Sequence, residues 1–235
     1  MGINDRTKLL LSNNFEKLSK LKIAVIGVGG VGSIIPISFV RSNIKDIIIV
    51  DKDIVDDSNL NRQIAYNIND IGKTKVIALK EHLLELNFDL NIKPISKRID
   101  KEFDFSIFDD RDYIVDCIDD IDAKVLLAKY AIDHNIKYIT SLGMGNRFDS
   151  TKVEITKLNK TTNDPLAKKF RYNLKKEGVD ISKIKVSFSK EQPLIKGKVI
   201  SSMIFTPNAS GLALASHVLI ELLGMEDLEN ALTKN

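Results

Sequence analysis

From Leu21 to Thr140, short apolar runs alternate with longer segments whose apolar positions recur at helical spacing. The run Leu21-Lys-Ile-Ala-Val-Ile26 is β-branched and stops at glycine, the mark of a strand buried on both faces. A helix is predicted over Val31 to Arg41, where Pro36 implies a kink or an altered first turn. Ile47-Ile-Ile-Val50 reads as a second buried strand ending at Asp51, and a polar connector runs from Lys52 to Asn69. Val76, Ala78, Leu79, Leu83, Leu84 and Leu86 set the apolar positions of a helix over Thr74 to Leu86, followed by a strand over Asn91 to Ile95. The pattern then repeats as strand Asp112 to Cys117, helix Asp122 to His134 and strand Lys137 to Thr140. Such alternation predicts an α/β fold with a doubly wound, mostly parallel, Rossmann-like sheet.

Beyond Ser141 the rhythm changes. The loop Gly143-Met-Gly-Asn-Arg147 leads to extended segments near Val153 to Lys157, Lys185 to Ser189 and Val199 to Phe205. These are expected as antiparallel additions at one sheet edge, with a helix over Pro165 to Lys176 between them. No linker separates the halves, so one domain is expected over 1–235, with a nucleotide-binding half near 20–142 and a substrate-binding half near 143–235. An apolar content of 43% over 235 residues suffices for one substantial core.

Arg6, Lys8, Lys17, Lys20 and Lys22 are scattered among polar residues ahead of the first strand, which predicts no secretory signal. Ala209 to Gly224, interrupted by His217 and Glu221, falls short of the roughly 20 apolar residues of a membrane span and reads as a buried helix. The single cysteine, Cys117, allows neither an internal disulfide nor a four-cysteine zinc site, and a reducing cytoplasm is the expected setting. A net charge of +3 hides a marked asymmetry. Residues 101–150 carry 6 Lys and Arg against 11 Asp and Glu, whereas residues 151–200 carry 13 against 5. Lys168, Lys169, Arg171, Lys175 and Lys176 fall in one predicted helix, as a face for a polyanion or as ordinary solvated surface.

Gly27-Val-Gly-Gly-Val-Gly32 places G-x-G-x-x-G between a predicted strand and a predicted helix, with Asp51 nineteen residues past Gly32 at the next strand end. Glycines there let phosphate or ribose approach the backbone, a helix N-terminus favours negative charge, and the Asp51 carboxylate can accept from ribose hydroxyls. On this motif alone a dinucleotide-dependent oxidoreductase is the default. Three further features favour ATP. Asn59 and Arg62, in Ser58-Asn-Leu-Asn-Arg-Gln63, have the chemistry of phosphate ligands; Lys75 opens the next helix, where a compact cation could neutralise departing pyrophosphate. Asp119 follows a strand at its carboxyl end and suits a magnesium ion. Gly72-Lys-Thr74 is not a P-loop, since position 67 is asparagine.

Gly27-Val-Gly-Gly-Val-Gly-Ser33, Asp51-Lys-Asp53, Ser58-Asn-Leu-Asn-Arg-Gln63, Gly72-Lys-Thr-Lys75 and Asp116-Cys-Ile-Asp119 resemble, in order and spacing, the ThiF, MoeB and HesA adenylating proteins, relatives of ubiquitin-activating enzymes. The resemblance implies that Gly27, Gly29, Gly30 and Gly32 form the nucleotide loop, that Asp51 and Asp53 serve the ribose or nearby groups, that Asn59, Arg62 and Lys75 hold the phosphates, and that Asp119 serves magnesium. It also implies a homodimer in which Arg6 reaches the partner's ATP. The molybdopterin and thiamine branches carry paired CxxC zinc ligands that this chain lacks. Ser141-Leu-Gly-Met-Gly-Asn-Arg-Phe-Asp149, Asp164-Pro-Leu-Ala-Lys-Lys169, Phe188-Ser-Lys-Glu-Gln-Pro193 and Phe205-Thr-Pro-Asn-Ala-Ser-Gly211 instead resemble the tRNA threonylcarbamoyladenosine dehydratases. That branch implies ATP and Mg2+ as cofactors and tRNA carrying threonylcarbamoyladenosine as substrate, with a cysteine desulfurase sulfur-transfer system as a further candidate partner. Pro36 and a short stretch between Pro193 and Ser201 depart from its pattern. The alternatives are an adenylyltransferase acting on the C-terminal glycine of a ubiquitin-like sulfur carrier, and a nucleotide sensor without chemistry.

Overall fold

The structure, a computed structural model, describes residues 2–87, 89–195 and 200–225. The strands are β1 (Lys22–Ile26), β2 (Asp46–Val50), β3 (Asn91–Ile95), β4 (Tyr113–Asp116), β5 (Lys137–Ser141), β6 (Val153–Lys157) and β7 (Lys185–Ser189). The α-helices are α1 (Asp5–Leu11), α2 (Phe15–Leu18), α3 (Ile34–Arg41), α4 (Lys75–Leu86), α5 (Ile121–Asp133), α6 (Pro165–Lys176) and α7 (Phe205–Leu222). All seven strands join one sheet in the order β3-β2-β1-β4-β5-β7-β6, so strands from both halves of the chain share one ladder. No described helix is long and apolar enough to cross a membrane.

Burial on both faces explains the unbroken apolar strands. In β1, Ile23 and Val25 enter the core beneath α3, α4 and α7, while Ala24 and Ile26 enter the opposite core with Phe103, Phe108 and Leu127. Ile47 and Ile49 in β2 repeat the first choice and Ile48 and Val50 the second. Pro94 sits in β3, an edge strand, where a missing N–H costs least.

Two expectations are corrected. Lys185–Ser189 was expected to be antiparallel, but β7 pairs parallel with β5; only β6 runs antiparallel, to β7. The chain returns from β6 through α6, a crossover long enough to restore parallel pairing. The segment from Val199 to Phe205 forms no strand among its described residues: 201–203 are irregular and Phe205 opens α7. Val199 itself lies outside the described residues, as do Lys196 and Lys198 of the basic block. Of the two outcomes expected at Pro36, the altered first turn is found: α3 begins at Ile34, later than Val31, and places the ring in the first turn, whose N–H groups have no intrahelical acceptors. Pro207 occupies the same part of α7.

The chain reverses its direction of travel across the sheet between β1 and its two neighbours, β2 on one side and β4 on the other. A crevice opens there at the carboxyl ends of the strands, where ligands bind in open α/β sheets.

Candidate active site

That crevice holds a cavity of about 770 Å³. Its lining includes Gly27, Gly29, Gly30, Asp51, Asp53, Asn59, Arg62, Lys75 and Asp119, brought from the carboxyl ends of β1, β2 and β4 and the loops that follow them. The glycines divide by role. Gly27 has φ +82, and a Cβ on it would fall 2.9 Å from the carbonyl carbon of Cys117. A Cβ on Gly32 would fall 1.8 Å from the Gly27 carbonyl oxygen, so this pair closes the turn between β1 and α3. Gly29 and Gly30 instead have room for a methyl group at ordinary contact distance, with the nearest atoms 3.8 and 3.6 Å from an added Cβ. Their missing side chains leave backbone accessible from the cavity.

Asp51 holds this loop in place: Oδ2 accepts from the Val28 N–H at 2.8 Å and Oδ1 from the Asp53 N–H at 2.9 Å. Each oxygen retains a second lone pair for a ligand hydroxyl. Lys75, only 5% exposed, places Nζ 3.2 Å from Asp53 Oδ2 at the start of α4. Burial would raise the Asp53 carboxyl, but the hydrogen bond from Lys52 and the charge of Lys75 outweigh it and hold it below the ordinary carboxylate value. Asn59 is buried in a capping box, its Oδ1 accepting from the Asp56 N–H. Arg62 Nη1 donates to the Ser58 carbonyl and to Asn61 Oδ1, both at 2.8 Å, which fixes the guanidinium while the Cγ and Cδ of the stem lie beside Gly30.

The loop after β4 is built on a buried ionic network. Asp116 and Lys124 are both fully buried and lie 3.0 Å apart. Tyr138 Oη and Thr140 Oγ1 also donate to Asp116, whose Oδ1 accepts from the Ile118 N–H at 3.0 Å. Asp120 caps α5 and pairs with Arg98 at 2.6 Å. Asp119, between these anchors, stays exposed on the cavity wall. Among the described residues no group of three His, Cys, Asp or Glu side chains could cage a metal. One carboxylate beside phosphate oxygens and water is instead the donor set that suits magnesium. Cys117 is half-buried, and burial pushes its thiol far above the ordinary value, against a nucleophilic role.

Arg6 sits exposed on α1 and does not line this cavity. Lys168, Lys169, Lys175 and Lys176 are exposed on α6. Arg171 differs from them, because its Nη1 donates to Thr161 Oγ1 and to the Thr161 carbonyl. Lys97 and Arg98, just past β3, line the cavity without having been singled out from sequence, and Gly143, Met144 and Gly145, just past β5, stood there only within a loop and a family motif, with no role at the site. Their position at strand carboxyl ends was the available signal. The Asp116–Lys124 pair had no such signal, since a lysine on a helix is ordinarily solvated.

The ThiF family model matches residues 5–233. The chain belongs to the ThiF family. Within this family, the tRNA threonylcarbamoyladenosine dehydratase of Bacillus subtilis is 34% identical over 233 residues, covering 91% of each chain. Among solved structures, Escherichia coli tRNA N6-threonylcarbamoyladenosine dehydratase, TcdA, in complex with AMP superposes with a TM-score of 0.88 at 25% identity, over 96% of this chain and 98% of that one. The same E. coli protein in complex with ATP gives a TM-score of 0.86 at 25% identity with the same coverage.

Proposed function

We propose that the chain is an ATP-dependent tRNA threonylcarbamoyladenosine dehydratase. The threonyl carboxylate attacks the α-phosphate of ATP, forming an acyl adenylate as pyrophosphate leaves. The carbamoyl group then attacks the activated carbonyl; the ring closes and AMP departs with the oxygen formally lost as water. No enzyme nucleophile is needed, in keeping with the inert Cys117.

The observation that carries the reading is the convergence of Asn59, Arg62, Lys75 and Asp119 on one cavity beside an open Gly29-Gly30 backbone. In this reading Asp51 accepts from ribose, Gly29 and Gly30 admit the phosphates, and Asn59, Arg62 and Lys75 bind them. Asp53 holds Lys75 in position. Asp119 holds Mg2+, which supplies neutralisation of phosphate charge when bound. Preorganised cations and donors of this kind stabilise charge that develops on phosphate, and one such donor is typically worth about 100- to 1,000-fold in rate. Full-length similarity to dehydratases supports the choice of substrate. Two copies pair in this reading, with Arg6 of each reaching the other's nucleotide, and the exposed lysines of α6 meet tRNA phosphates.

The test is mass spectrometry of nucleosides from tRNA carrying threonylcarbamoyladenosine, after incubation with the protein, ATP and magnesium. Loss of one water from the modified base, dependent on ATP and reduced about 100-fold or more by Asp119→Ala, is the expected result. An unchanged base, with pyrophosphate exchange stimulated by a ubiquitin-like carrier, would transfer the assignment to carrier activation.

A further inference from the structure

Two exposed aromatic rings stand together on segments that line the cavity a few residues away, at Gly145 and at Ser202 and Pro207. Phe148 and Phe205 are 53% and 47% exposed, with ring centroids 5.6 Å apart and planes inclined by 63°. Met203, two residues before Phe205, Leu194, whose N–H donates to the Asn146 carbonyl, and Ile200, whose side chain lies against Gly145, are likewise exposed, at 48%, 68% and 72%. Single exposed apolar side chains need no explanation, whereas a group of them around two rings marks a binding surface.

Hydrogen bonds hold this surface against the site. Phe148 follows Arg147, which is buried and donates through Nη1 to the carbonyls of Gly143 and Gly145 on the cavity wall. The Phe148 N–H is itself bound by Glu191 Oε2 at 2.9 Å. Asn146 accepts through Oδ1 from the Ser201 N–H, and Asn61 Nδ2 donates to the Ser202 carbonyl at 2.9 Å, which ties the segment before Phe205 to the phosphate-binding connector. Ile200, Ser201 and Ser202 line the cavity themselves. The N-cap of α6, Asp164, accepts from the Gly143 N–H at 3.0 Å, so the helix that carries exposed Lys168 and Lys169 starts at the same wall.

Exposed rings on segments tied to the cavity wall, with a lysine-bearing helix starting at the same wall, match the requirements of an unpaired polynucleotide loop, whose bases stack while its phosphates pair with charge. We propose that Phe148 and Phe205 form a stacking platform for an unpaired base adjoining the modified adenosine, and that this platform presents the modified side chain to the cavity. The proposal rests on the tRNA reading above. Continuity with the cavity through Ile200, Ser201 and Ser202 favours a nucleobase over a second copy of the chain.

The test uses an anticodon stem-loop with 2-aminopurine next to the modified adenosine. Wild-type protein quenches the fluorophore on binding. Phe148→Leu and Phe205→Leu, which keep apolar bulk but remove the ring, lose most of the quench and raise KM for tRNA about tenfold, with kcat and ATP affinity unchanged; Phe148→Tyr restores both. Quench and KM equal to wild type in both leucine variants overturn the platform. So does a change in sedimentation with unaltered fluorescence, which would assign the rings to contacts between copies, and so does wild-type protein that does not bind the stem-loop. Wild-type protein that quenches but forms no cyclic product keeps the platform and overturns the dehydratase assignment.

Discussion

Gly30 and Gly32 sit two residues apart in one motif and answer to different physics. Gly32 is required by the fold, since its Cβ would overlap the Gly27 carbonyl; Gly30 has room for a methyl group and faces the cavity. Gly32→Ala is therefore expected to lower the thermal midpoint by several degrees or prevent folding, whereas Gly30→Ala leaves the midpoint within about a degree or two and weakens ATP binding, read by calorimetry on both variants. A common loss of stability would show that both glycines serve packing alone. The motif was legible in the sequence, but not this division of labour, because which Cβ meets an atom depends on how Cys117 and Ile118 cross beneath the turn. Asp119 was legible as well, by its place after a strand. The pairing of Asp116 with Lys124 was not: Asp116 stood only within a family motif and Lys124 in none, until β4, α5 and β5 came together around them.

At the scale of elements, Glu221 binds α7 to the sheet. It accepts from Tyr113 Oη of β4 at 2.6 Å, pairs with Lys185 of β7, and lies 3.2 Å from His217 Nε2. Burial would raise this carboxyl, but hydrogen bonds from His217, Lys185 and Tyr113 hold it down at about 2. A depressed carboxylate contributes stability that is present above its unfolded value, near 4.3, and is lost as pH falls toward the folded one. Thermal midpoints measured from pH 5 to pH 2.5 should fall steeply in the wild type. Glu221→Gln should start lower and fall less over that window; parallel curves would place the acid sensitivity elsewhere. The sheet-facing helices were read closely from their period, and α6 agrees with its expected bounds, helped by Asp164 as N-cap and Pro165 at the first position. α7 starts at Phe205, ahead of the expected Ala209, since Pro207 falls in its first turn, where a missing N–H costs little.

Across the whole molecule, charge is sorted by distance from the cavity. Lys75, Arg62, Lys97 and Arg98 line it, while Lys168, Lys169, Lys175 and Lys176 stand outside on α6. Removing a cation of the inner group should reduce ATP affinity, and removing an outer one should act on polynucleotide binding only. Replacing Lys168 and Lys169 by Gln is expected to make the slope of log K for tRNA against log salt shallower by about 1 to 2, with ATP binding unchanged. An unchanged slope would return α6 to plain solvated surface. Arg171 belongs to neither group, since its bonds to Thr161 spend it on holding α6 to the chain after β6.

Element type, the parallel α/β class and the nucleotide loop follow from sequence alone, because periodicity, glycine spacing and helix caps act over a few residues and survive in one dimension. The direction of β7, the exposed aromatic pair beside the cavity, the Asp116–Lys124 network and the separation of Arg171 from its neighbouring lysines needed the tertiary structure. Each depends on atoms distant in the chain. Local pattern states what a segment can bury, but only the assembled sheet decides which charges are left to face water and which must find a partner inside.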